Sequence, residues 1–162
     1  RGWSAGGYNT FAALAFADTF HAGAAYFGIS DAMLWAEQTH KFEAHYPDYL
    51  VGPRSDTALY RERSPLPSAG RIAAPLAMFQ GADDKITPPN QSELILESLR
   101  ARGVPVMYML FQGEGHGFRK AETNLACLKA ELAFYGRVFG FTPADELPPI
   151  PLENAERLKA AR

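Results

Sequence analysis

Cysteine is almost missing from this chain, with one, Cys127, in 162 residues. A lone thiol excludes an internal disulfide and favours a reducing compartment, so a cytoplasmic location is the expectation. His21, His40, His45 and His116 are scattered along the chain. With a single cysteine they offer no zinc-ligand spacing, so no metal site is expected. Charge of one sign is also lacking: Lys and Arg number 16, Asp and Glu 18, for a formal net charge of -2. Without a basic stripe, neither nucleic acid nor an anionic membrane is expected as a partner. No apolar run reaches the length of a membrane span, and there is no repeat or low-complexity tract. What is present, 47% hydrophobic and 21% charged residues, suits one globular domain core.

Short apolar segments alternate with helix-like ones. Residues 22–30 (AGAAYFGIS), 75–81 (PLAMFQG) and 105–111 (PVMYMLF) read as buried strands. Helices are expected over 8–16, over 32–40 behind an Asp31 cap with a Glu37–Lys41 pair, over 56–63, over 88–102, and over 119–139. In the last of these, Leu125, Leu128, Leu132, Tyr135 and Val138 form the expected buried stripe, and Cys127 is a core position. The aromatic, proline-broken segment 41–53 reads as short helices over the sheet end. Residues 142–162 read as a proline-rich C-terminal tail, with a frayed helix over 153–161. Strand–helix alternation points to an α/β fold with a parallel sheet.

The chemistry gathers at three places. Gly2-Trp3-Ser4-Ala5-Gly6 fits Gly-x-Ser-x-Gly, a strand–turn–helix elbow that lifts a serine oxygen above the end of a sheet and leaves the next backbone N–H for an oxyanion. The glycines on either side are expected to avoid collisions in the tight turn. Asp83 and Asp84 follow the strand over 75–81, and His116, between two glycines, follows the strand over 105–111. Serine is a weak nucleophile. It needs a histidine to take its proton and a carboxylate to orient that histidine, here in the chain order Ser, Asp, His. Trp3 and Trp35 are candidates for a cleft lining or, equally, for packing, while His21, His40 and His45 read as surface or packing residues. Only Arg1 precedes the elbow, so its feeding strand is expected to be absent and the edge of the strand over 22–30 to lie open, prone to association into a homo-oligomer.

Four segments carry a family resemblance: GWSAGGY at 2–8, SPLP at 64–67 with PLAMFQG beyond it, GADDKITPPNQ at 81–91, and GEGHGF at 113–118. With these the chain resembles the prolyl oligopeptidase family of serine peptidases, most closely its acylaminoacyl-peptidase and dipeptidyl-peptidase-like branch. The resemblance covers residues 1–141 and implies the C-terminal portion of an α/β-hydrolase catalytic domain, truncated at the nucleophile elbow. It implies hydrolysis of short peptides through an acyl-enzyme, with no metal or cofactor, the full-length parent removing dipeptides or acylated residues from peptide N-termini. Ser4 would be the nucleophile, His116 the general base and acid, and the Ala5 N–H one oxyanion donor. Asp84 stands in the usual register for the orienting acid; Asp83 would take that role in members with an extra residue. An N-terminal β-propeller, the first sheet strands and a second oxyanion donor would lie outside this chain. The alternatives are a carboxylesterase or lipase of the same fold, or a non-catalytic fragment.

Overall fold

Alternating side chains of one central strand divide the core in two. In β3 (Leu76–Gly81), Leu76 and Met78 join one buried cluster while Ala77 and Phe79 join another, as the two-residue period of a strand requires. The structure, a computed structural model, describes residues 1–158. Among these residues the sheet runs β1-β2-β3-β4-β5. Strands β1 (Gly2–Trp3), β2 (Gly23–Tyr26) and β4 (Val106–Phe111) lie parallel to β3, and β5 (Leu152–Glu153) pairs antiparallel with β4. All six residues of β3 are buried, as expected of a strand covered on both faces.

Helices α1 (Ala5–Phe16) and α5 (Asn90–Ala101) cover one face through Phe11, Leu14, Ile95 and Leu99. Helix α6 (Ala121–Phe139) covers the other through Cys127, Ala130 and Phe134. Burial pushes the Cys127 thiol up to about 12. Between β2 and β3 the chain builds a small separate layer from α2 (Ala32–Gln38), α3 (Tyr46–Leu50) and α4 (Thr57–Arg63), with its own cluster of Ala32, Ala36 and Tyr60. The Asp31 carboxylate accepts from the Met33 and Leu34 N–H groups and starts α2. Among the described residues, no helix is long and apolar enough to cross a membrane.

Several expectations need correction. A two-residue feeding strand is present: Gly2 and Trp3 pair with Ala25 and Tyr26, which covers that half of the β2 edge, while Gly23 and Ala24 have no strand partner on that side among the described residues. Strand β2 stops at Tyr26 because Phe27 takes a positive φ of 39°. Helix α2 ends at Gln38, so Lys41 falls beyond it and lies over the Phe42 ring instead of pairing along the helix with Glu37. The proline-rich tail returns to the sheet as β5. It continues into a 3-10 turn over Ala155–Arg157, and residues 159–161 of the expected frayed helix lie outside the described residues.

The largest difference concerns α6. Leu125, Leu128 and Leu132 are 52%, 58% and 38% exposed. The stripe facing the sheet is Thr123, Cys127, Ala130, Glu131 and Phe134. Both stripes have helical spacing, and the helix settles on the one whose small residues permit close approach to the sheet. Phe134→Ala is therefore expected to cost about 3–5 kcal/mol, and Leu128→Ala no more than about 0.5 kcal/mol. Urea denaturation checks this; equal losses would contradict the packing.

Candidate active site

Ser4 stands between β1 and α1 in backbone geometry that few non-glycine residues adopt, φ 53° and ψ −115°. Such a conformation costs of order 1–3 kcal/mol and persists only where its surroundings enforce it. Here the Ser4 N–H donates to the Tyr26 carbonyl at 2.9 Å. A side chain at Gly2 would strike the Gly6 carbonyl, so the first glycine of the motif is required. The second is not required for the expected reason: a Cβ on Gly6 meets nothing within 4 Å among the described residues. The crowded position is Gly7, where a Cβ would lie 2.6 Å from Cα of Gly28 in the loop after β2.

Asp84 lies in the turn after β3 and is 3% exposed, whereas Asp83 is exposed. A buried carboxylate is costly unless donors surround it. Oδ1 of Asp84 accepts from the Ile86 and Thr87 N–H groups, both at 2.9 Å. Oδ2 accepts from the Thr87 hydroxyl at 3.1 Å and from Nε2 of Gln80 at 3.4 Å. Thr87 Oγ1 also lies 2.9 Å from the Phe27 carbonyl and 3.0 Å from Nδ1 of His116, tying three loops together.

His116 tops the loop after β4. Glu114, buried beneath it, accepts from the Arg119 and Lys120 N–H groups at 2.9 and 3.1 Å. Those bonds, the Arg119 one above all, hold its carboxyl below the usual range. The loop crosses directly over the end of β3, where a Cβ on Gly81 would come within 2.5 Å of the Glu114 carbonyl oxygen. The edge of the Phe27 ring packs against the imidazole, centroids 4.8 Å apart.

These three loops bring residues far apart in sequence into one line. Nδ1 of His116 is 2.9 Å from Oδ2 of Asp84, and Nε2 is 2.9 Å from Oγ of Ser4. With Nδ1–H donated to the carboxylate, Nε2 is left as an acceptor for the serine hydroxyl, the tautomer that proton removal requires. The Ala5 N–H belongs to the first turn of α1, where backbone donors have no partner within the helix. It is thus available to an anion, and the helix dipole favours negative charge there. Beside Ser4 opens a cleft of about 50 Å³, with Ile29, Trp35, Glu43, Tyr46 and Ile86 among its walls. Trp35 therefore lines the cleft, while Trp3 stacks on Tyr26 at 5.0 Å.

Sequence pattern alone does not mark Thr87, Gln80, Phe27, Glu43 or Glu131 as site residues. That last carboxylate, buried in α6, accepts from the Tyr26 hydroxyl at 2.6 Å and from Arg1 at 3.1 Å, anchoring the chain just before the elbow. Burial, reinforced by Glu131, pushes the Tyr26 phenol above its ordinary range. An Asp just before a Pro-Pro run suits an Asx turn, as the Asp84 bonds to the Ile86 and Thr87 N–H groups show, but nothing local marks the Thr87 hydroxyl.

The sequence profile described as "Prolyl oligopeptidase family" matches residues 1–142. The chain is 34% identical over 146 residues to dipeptidyl aminopeptidase BIII of Pseudoxanthomonas mexicana, an alignment covering 86% of this chain and 21% of that protein. It superposes with a TM-score of 0.90 on a puromycin-hydrolysing peptidase of Mycobacterium tuberculosis, at 47% identity, covering 94% of this chain and 23% of that one. With an acylaminoacyl peptidase of Pyrococcus horikoshii the TM-score is 0.78 at 26% identity, covering 84% of this chain and 23% of that one. The chain thus spans about a fifth to a quarter of the length of these relatives.

The Thr87 hydroxyl touches both Asp84 and His116, so its loss is expected to slow fluorophosphonate labelling of Ser4 by about tenfold in Thr87→Val, while Thr87→Ser restores it. Labelling rates measured beside melting temperatures decide the point: an unchanged rate in Thr87→Val would contradict it.

Proposed function

The chain belongs to the prolyl oligopeptidase family, and from that premise we propose that it is the catalytic segment of a larger serine peptidase acting on short peptides through an acyl-enzyme. The observation that carries this reading is the unbroken line Ser4–His116–Asp84, with both contacts at 2.9 Å. In the first step the Ser4 oxygen bonds to the scissile carbonyl carbon while its proton passes to Nε2 of His116. Asp84 holds the imidazole in place and stabilises the imidazolium that forms. The Ala5 N–H meets the oxygen as it becomes negative. As the carbon–nitrogen bond breaks, His116 gives its proton to the leaving amine, leaving an ester on Ser4. Water, deprotonated by the same imidazole, then releases the acid and restores the serine.

Relatives named as a dipeptidyl aminopeptidase, an acylaminoacyl peptidase and a puromycin-hydrolysing peptidase support amide bonds of short aminoacyl or peptidyl compounds as the substrate class. The small cleft beside Ser4 agrees with a short substrate group. No feature of the site favours an esterase or lipase.

In the full-length protein, Ser4→Ala and His116→Ala are each expected to lower kcat on an aminoacyl-nitroanilide by about 10³-fold or more, with little change in KM. Wild-type protein should cleave that amide as well as a short-chain ester. Ester cleavage without amide cleavage would overturn the peptidase reading, and full activity in Ser4→Ala would overturn the nucleophile.

A further inference from the structure

The cleft beside Ser4 is largely apolar and aromatic; its polar members are Ser4, Thr87 and one carboxylate. Ile29, Trp35, Tyr46, Leu50 and Ile86 form its walls, and Glu43 is the acidic residue among them. Glu43 is half-buried, and its Oε2 accepts from the Thr39 hydroxyl at 3.2 Å. Among the described residues it makes no salt bridge: Lys41, two positions away, lies over Phe42, and the His45 ring pairs with Asp48. A carboxylate withdrawn from water against apolar walls and left without a cation is unfavourable unless a ligand supplies the charge. Trp35 and Tyr46 meet edge to face, centroids 6.2 Å apart. Aromatic faces add attraction for a cation, and partial exclusion of water strengthens the ion pair. The cleft, about 50 Å³, takes only a few water-sized groups.

We propose that Glu43 is a specificity-determining residue that reads a positive charge on the substrate, an ammonium or guanidinium group close to the scissile bond. This rests on the peptidase reading above, because it places the substrate against Ser4. The charge has two sources in a short peptide, a basic side chain or the free α-amine. Either would seat its N–H donors on the Glu43 carboxylate as charge-assisted hydrogen bonds.

The test uses the full-length protein and four nitroanilides, with lysine or norleucine next to the scissile bond, each with a free or an acetylated α-amine. Wild-type protein is expected to favour cation-bearing substrates by about tenfold or more in kcat/KM, chiefly through KM, and Glu43→Gln to erase that preference, lowering kcat/KM on the cation-bearing compounds about tenfold more than on the acetylated norleucine compound. A preference that follows lysine over norleucine assigns the side chain, and one that follows the free over the acetylated amine assigns the α-amine; both support the proposal. If Glu43→Gln does not fold, protection of wild-type Ser4 from fluorophosphonate decides: n-butylammonium should protect at about tenfold lower concentration than n-butanol, and equal protection would overturn the proposal. Hydrolysis of all four compounds without regard to charge overturns the role of Glu43 and leaves the peptidase reading standing. No hydrolysis and no labelling of Ser4 overturns both.

Discussion

A carboxylate buried at the end of the central strand is the constraint around which the site is built. Asp84 is stable out of water only because its own turn, the central strand and the histidine loop all offer it donors. Its own turn supplies the Ile86 and Thr87 N–H groups, β3 supplies Gln80, and the loop after β4 supplies His116. Satisfying the carboxylate therefore orients the imidazole as well. The same Thr87 hydroxyl that reaches Asp84 reaches the Phe27 carbonyl, so the loop after β2 is drawn into the arrangement. Buried polar groups joined in this way fix one geometry, because breaking any member leaves the others without partners.

The serine approaches from the opposite side under a separate constraint. Its backbone strain is enforced by the β1–β2 pairing and by the packing of Gly7 against Gly28, which bring α1 close over the sheet. Behind β1, Tyr26 is stacked between Trp3 and Phe79, and its hydroxyl reaches Glu131 on α6. Elbow, sheet and last helix are thus joined through one aromatic column and one buried acid. The fold brings three strand ends together, and the polar contacts set the distances among them.

What could be read in the sequence followed from local pattern. The three long strands, the helices between them and the three residues of the Ser-His-Asp line each sit beside a turn signal or an apolar run, and glycine marks the elbow and the histidine loop. Features that depend on tertiary packing were not legible. The exposed leucines of α6 have the same helical spacing as its buried residues, and only the shape of the sheet decides between the two stripes. Gln80 and Glu131 are polar residues inside apolar segments, and nothing local shows which buried partner each one meets. Glu43 is one acid in a charged, aromatic stretch, and only the folding of α3 over the sheet end brings it beside Ser4.

In the proposed mechanism Ser4 draws its reactivity from His116 and Asp84. The site and stoichiometry of fluorophosphonate modification in the protein, mapped by peptide mass spectrometry, test this. One adduct per chain is expected, on Ser4, absent in His116→Ala and strongly slowed in Asp84→Asn. An adduct on a different serine, or labelling of Ser4 at an unchanged rate in His116→Ala, would contradict it.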